Sequence, residues 1–336
     1  MLSKQLFRNG LIVSITILLI LPSVLSAAKA PGKLIFEDVF FPAAIDNGEK
    51  LAFFKMHFKE DSSYVIRMAI GDPKTGKTEF LLPDVNFSKK KVLAFAFTAD
   101  YQKVAIVDRN LTPCDIWLYD RNEAYAEPIR LTDLEQFDPG FDVTSLQNLG
   151  LRPDEVLIVN SIDFSRDGNN LLMTFGILGK SAIWMYEMDR NHYRQLTKDR
   201  VGYLPKWLPD SEHFVYARND TVSGKFSEDI YLMNANNNES EPLVATTYSE
   251  SWPIPSPDGK YVAFLRSENG RWNCYVIRLS DRKTTRITDI PERTSCNYAA
   301  WNGDASKIYL LLSGFGDNRF TDVYELEFTP DKYEWK

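Results

Sequence analysis

The chain has 336 residues, 44% of them hydrophobic, 13% aromatic and 25% charged, with a formal net charge of −7. That composition suits one large all-β domain or two ordinary ones and excludes long low-complexity disorder. An acidic balance without a basic stripe argues against nucleic acid as a partner, and three scattered cysteines, Cys114, Cys274 and Cys296, are too few for a disulfide framework.

At the N-terminus, Lys4 and Arg8 precede a largely apolar run from Leu11 to Leu21, which Pro22 breaks. Small residues follow at Ser26, Ala27, Ala28 and Ala30. This layout predicts a cleavable signal peptide over residues 1–28, and so export to the periplasm or beyond. The rival is an uncleaved anchor, which needs about 20 apolar residues, roughly twice the run present here. Removal of Lys4 and Arg8 takes the formal charge from −7 to −9.

From residue 38 onward one pattern recurs: an aromatic residue, two spacers, an aspartate, a polar turn, then an alternating apolar strand. Its first, weaker copy is Ala43-Ala44-Ile45-Asp46-Asn47-Gly48, followed by strands at Leu51-Ala52-Phe53 and Tyr64-Val65-Ile66 and a turn at Asp72-Pro73. The second is Phe97-Thr98-Ala99-Asp100, with strands at 104–106 and 116–119, a turn at 120–122 and a short strand at 130–132. Then come Phe164-Ser165-Arg166-Asp167-Gly168, Trp207-Leu208-Pro209-Asp210, Pro255-Ser256-Pro257-Asp258-Gly259 and Trp301-Asn302-Gly303-Asp304, each leading into the same strand–turn–strand order. Asp, Asn and Gly close tight turns, and the β-branched and aromatic residues between them suit a half-buried pleat. Four strands per unit at roughly 40–50 residues predict a propeller blade. The chain therefore reads as an all-β, six-bladed β-propeller over 29–336 with four-stranded antiparallel blades. Their approximate spans are 38–84, 92–134, 158–200, 202–246, 251–290 and 296–336.

Spacing between the aspartates is 54, 67, 43, 48 and 46 residues, so the second unit carries a surplus, an insertion at 133–156. Segments 220–228 and 313–321 also read as long loops, and all three open onto the rim where the inner strands begin. Long loops in a compact domain are commonly functional. The candidate partner-binding residues are accordingly Phe137, Phe141, Tyr203, Trp252, Phe315 and Phe320. Trp252 stands apart from the other repeat tryptophans, which sit where neighbouring units carry Phe or Tyr and read as packing between blades.

Ser-Pro-Asp-Gly-Lys at 256–260, Asp-Ile-Tyr-Leu-Met at 229–233 and Arg-Gln-Leu-Thr at 194–197 resemble the WD-repeat-like, PD40-type repeats of the TolB propeller family. The resemblance covers the chain from about Asp38 onward and implies a six-bladed, periplasmic, protein-binding module. TolB carries an α/β domain ahead of its propeller. Only a handful of residues separate the apolar segment from the first blade here, so the resemblance implies a TolB-like propeller and not TolB itself.

Apparent chemical motifs dissolve in context. Gly71-Asp72-Pro73-Lys74-Thr75-Gly76-Lys77-Thr78 matches the nucleotide-binding P-loop by letter. No helix can follow it, because Pro83 interrupts, and it sits in register with the polar turns of the other units. Gly179-Lys180-Ser181-Ala182-Ile183 lacks the second glycine of a hydrolase elbow. His57, His192 and His213 fall in different units, so no metal or acid–base cluster is expected. The sequence thus predicts no catalytic, cofactor or metal residue and no bound nucleotide. Its expected partner is another envelope protein or peptide, with membrane contact only through an uncleaved signal. The alternative is a small-molecule or carbohydrate site, possibly enzymatic, in the central channel.

Overall fold

The computed structural model describes residues 30–45, 48–58, 64–82, 92–108, 116–121, 127–131, 157–177, 180–199, 201–222, 225–291, 294–314 and 321–336. The described residues form six four-stranded antiparallel sheets arranged as blades. Blade 1 is β2 (Val39–Ile45), β3 (Lys50–Phe58), β4 (Tyr64–Gly71) and β5 (Thr78–Phe80). Blade 2 is β6 (Val92–Phe97), β7 (Lys103–Asp108), β8 (Ile116–Asp120) and β9 (Ile129–Arg130). Blade 3 is β10 (Leu157–Phe164), β11 (Asn170–Ile177), β12 (Lys180–Glu187) and β13 (His192–Gln195). Blade 4 is β14 (Gly202–Trp207), β15 (His213–Val222), β16 (Lys225–Asn234) and β17 (Ser240–Val244). Blade 5 is β18 (Ser249–Pro255), β19 (Tyr261–Glu268), β20 (Arg271–Arg278) and β21 (Lys283–Arg286).

Blade 6 closes the ring. It is β22 (Ser295–Trp301), β23 (Lys307–Ser313) and β24 (Thr321–Glu327), completed on its outside by β1 (Lys33–Phe36) from the other end of the chain. The sequence reading began its first blade at residue 38 and assigned β1 no role. The turn back into blade 1 is fixed by Asp38, whose backbone N–H donates to Asp322 Oδ1 at 3.1 Å. The C-terminus adds a second clamp: Lys336 and Thr284 exchange backbone hydrogen bonds, laying the chain end against β21.

The recurring aspartates do what the repeat predicts. Oδ1 of Asp100, Asp167, Asp258 and Asp304 accepts the backbone N–H two residues on, at 3.0–3.1 Å. Asp210 accepts from both Glu212 and His213 at 2.9 Å. Asp46 lies outside the described residues. Where an aromatic precedes the turn, at Phe97, Phe164, Trp207 and Trp301, it is the last residue of an innermost strand, and Pro255 takes that place in blade 5. Trp301 is fully buried there, and its indole N–H donates to Ile254 O of the preceding blade at 3.0 Å.

Each of six apolar clusters fills the wedge between two successive blades, as with Phe214 and Leu172 between blades 3 and 4. Cys274 and Cys296 are buried as free thiols in the wedge between blades 5 and 6. Cys114 lies outside the described residues.

One expected loop is strand instead. Residues 220–228 continue the β15–β16 hairpin, with pairing running out to Val222 against Lys225. The polar run Asn219-Asp220-Thr221 mimics a loop in composition, yet it pairs in register with Glu228, Ser227 and Phe226.

Candidate functional site

The segment that imitates a P-loop joins β4 to β5. Asp72 Oδ1 accepts the backbone N–H groups of Lys74 at 2.8 Å and Thr75 at 3.3 Å, and Oδ2 accepts the Thr75 hydroxyl at 2.8 Å. Gly76 N–H donates to Asp72 O at 2.8 Å. The amides that a phosphate would need are thus committed to Asp72 and held in a turn. Nucleotide titration is expected to show no micromolar binding that Lys77→Ala removes; such binding would reverse this reading.

All six innermost strands, β2, β6, β10, β14, β18 and β22, carry one extra residue relative to their neighbour, a β-bulge at the same level of the channel. In three of them the bulge residue is large, apolar and left-handed: Phe41 at φ 50°, Leu204 at φ 53° and Trp252 at φ 55°. Each is followed by proline, at 42, 205 and 253. The Leu204 N–H is pinned by the buried Thr174 hydroxyl at 3.1 Å. Bulky residues avoid positive φ at a cost of about 1–3 kcal/mol each, and such strain concentrates at functional positions. These three side chains come together around an upper chamber of about 80 Å³, where the inner strands begin.

Of the residues singled out from sequence, Trp252 lines this chamber and meets Tyr298 edge-on at 5.6 Å. Tyr203 lies beside it on β14 but turns its hydroxyl inward, where burial near Glu228 pushes the phenol far above its usual range. Phe137, Phe141, Phe315 and Phe320 lie outside the described residues. Sequence reasoning missed Phe41 and Leu204, and also the exposed Tyr64 and Tyr248 on the same rim. A large apolar residue followed by proline, occurring on three inner strands, was the available signal.

Below the chamber the channel is interrupted. Ala43, Phe95, Lys206, Ile254 and Tyr298 border both this space and a lower one of about 280 Å³. Lys206 Nζ donates to Asp163 Oδ1 at 2.7 Å, and the Trp207 N–H donates to Asp163 Oδ2 at 2.9 Å. Burial works against the Lys206 charge, but the Asp163 carboxylate outweighs it and holds the ammonium well above its usual range.

Between blades 4 and 5, just under the rim, the polar residues are buried. Glu250 is 0% exposed and accepts from Arg266 at 2.9 Å and from the Thr246 hydroxyl. Burial raises both Glu250 and Glu228 above the ordinary carboxylate range, against the hydrogen bonds and the Arg266 charge. The turn aspartates run the other way. Hydrogen bonds from Thr98 and Ser306 hold Asp100 and Asp304 low. At Asp167, Asp210 and Asp258, burial pulls upward and the hydrogen bonds outweigh it.

The signs give a two-sided pH profile. A carboxylate raised on folding adds stability as pH falls from its folded value toward the unfolded 4.5. One lowered on folding contributes fully above its unfolded 3.8 and loses this as pH falls further. Denaturant midpoints should therefore rise from neutral pH into mild acid and fall below about pH 4. Glu228→Gln should flatten the neutral side alone; an unchanged slope there would remove Glu228 from the explanation.

Among the described residues no group of three or more His, Cys, Asp or Glu could hold a metal ion, and no helix is long and apolar enough to cross a membrane. The signal segment 1–28 lies outside the described residues.

No family model matches the chain. Over 158 residues, 46% of its length, the chain is 28% identical to an uncharacterised protein of Agrobacterium fabrum, and the match spans 47% of that relative, about half of it. Among solved structures, TolB from Acinetobacter baumannii matches 83% of the chain with a TM-score of 0.59 at 17% identity, over 64% of its own length. The fold is that of a TolB-like propeller. An oligogalacturonate lyase in complex with manganese matches 88% of the chain and 90% of its own, with a TM-score of 0.56 at 10% identity. At these identities the likeness carries the fold alone. A TolB-like propeller therefore has its function argued from its own residues.

Proposed function

We propose that the protein is a non-catalytic binding scaffold, exported to the periplasm, that engages another envelope protein or peptide at the rim where the inner strands begin. The observation that carries this reading is the convergence of Phe41, Leu204 and Trp252 on the upper chamber, each in a left-handed conformation. Apolar side chains held at a backbone cost around a shallow, water-facing mouth suit a partner's apolar anchor residue. Tyr64 and Tyr248, exposed at the same rim, supply the amphipathic surround common at protein interfaces. Phe137, Phe141, Phe315 and Phe320, outside the described residues, are assigned to this rim by repeat order alone, and the TolB likeness supports a binding role.

The test is capture from an envelope extract by wild-type protein and by Phe41→Ala, Trp252→Ala, Phe315→Ala and a deletion of 136–150, each checked for an unchanged melting temperature. Loss of a central aromatic anchor costs about 2 kcal/mol or more, roughly thirtyfold in affinity. Recovery of the same partner should collapse with Trp252→Ala. Equal recovery by all variants would place the interface elsewhere.

A further inference from the structure

The lower chamber is separate from the rim and has a different chemistry. Its walls are apolar, from Ile45, Phe95, Phe97, Ile254, Pro255 and Pro257. Its ceiling is Lys206, Asp163 and Tyr298, and its outer margin carries the exposed Arg166. The lining holds two cations, Lys206 and Arg166, and one carboxylate, Asp163, while the turn aspartates Asp100, Asp167, Asp210 and Asp258 each directly follow a lining residue at the lower mouth.

The Asp163 carboxylate is already satisfied, one oxygen by Lys206 and the other by the Trp207 N–H. An ammonium has three donors, and this hydrogen bond uses one. The Tyr298 hydroxyl makes no hydrogen bond to a described residue, and Tyr298 lines the same space as Lys206. The polar groups left to serve a ligand are thus donors, set above an apolar sleeve. A volume of about 280 Å³ equals roughly nine waters at ~30 Å³ each. A short hydrocarbon body with one head group fills such a space.

We propose that the lower chamber is a binding site for a small monoanionic amphiphile, a medium-chain carboxylate, with its head on Lys206 and Tyr298 and its apolar body against the sleeve. The site is built from the middle and lower ends of the inner strands, and Lys206 and Tyr298 form the partition it shares with the upper chamber.

Titration calorimetry on the purified protein with octanoate, and with octylammonium as the charge-inverted probe, decides the matter. Octanoate should bind at least tenfold more tightly than octylammonium. Lys206→Met, which keeps the apolar stem, should weaken octanoate about ten- to a hundredfold, the range for hydrogen bonds to charged groups. Because Lys206→Met leaves Asp163 uncompensated, Asp163→Asn provides a variant of opposite sign: it frees the ammonium and should tighten octanoate several-fold. Asp163→Asn combined with Lys206→Met, with no buried charge left, should fold and not bind. No octanoate binding at millimolar concentration, equal affinity for octylammonium, or weaker binding in Asp163→Asn would each overturn the proposal.

Discussion

Replacing Phe36 by alanine is expected to destabilise the protein by about 3–5 kcal/mol, the range for truncating a buried aromatic. β1 is only four residues long, yet it is the outermost strand of blade 6 and joins the two ends of the chain. Phe36 is 3% exposed, and its ring centroid lies 5.0 Å from that of Phe53 in the wedge between blades 6 and 1. The ring packs over Gly71, where a Cβ would stand 2.4 Å from Phe36 Cζ, so only glycine fits beneath it. Truncation empties this seat at the described blade built from distant segments, leaving the ladder pairs to β24 and the Asp38–Asp322 hydrogen bond to hold the closure. Guanidinium unfolding should show the lower midpoint together with a changed slope, since an opened ring no longer unfolds as one unit. A loss below about 1 kcal/mol would mean that the closure is not held by this side chain.

Arg266→Ala is expected to cost a similar amount, about 3–5 kcal/mol, by a different route: it strands a buried carboxylate. Glu250 is fully buried, and its Oε1 is held by the Arg266 guanidinium at 2.9 Å. Arg266 also stacks over Tyr275 at 4.5 Å and Phe264 at 5.5 Å, so its removal takes packing as well as charge. The pair belongs to the seam between blades 4 and 5, with Glu250 two residues before Trp252 on β18. Neutralising both partners, as Glu250→Gln with Arg266→Met, should recover most of the loss, because no uncompensated charge remains. If the double variant is as unstable as Arg266→Ala, the effect is packing, not charge.

Repetition made the architecture legible. Six aspartate turns at similar spacing state the blade number, and the aromatic before four of them, at Phe97, Phe164, Trp207 and Trp301, marks the end of an inner strand. β1 escaped because Lys-Leu-Ile-Phe carries no turn and no copy of the repeat, and its partner strand lies almost 300 residues away. The β15–β16 extension escaped because Asn219-Asp220-Thr221 reads as a turn and Val222 and Phe226 are too isolated to show an alternation. At the site, Trp252 stood out by breaking its repeat, whereas Phe41 and Leu204 became visible only once the bulges aligned them with it. The Lys206–Asp163 contact was beyond sequence reasoning for a geometric reason: each residue occupies an ordinary inner-strand position, and only the packing of blade 3 against blade 4 brings β10 and β14 together.

The most direct measurement is site-specific photo-crosslinking in cells. A photoreactive side chain is placed in turn at Phe41, Tyr248 and Trp252 on the upper mouth, at Ala99 and Arg166 on the lower margin, and at Ile129 on an outer strand. Binding at the upper rim predicts adducts of one envelope partner from the three upper positions and none from the others. Adducts formed chiefly from the lower margin or the outer strand, or none from the upper mouth, would contradict it.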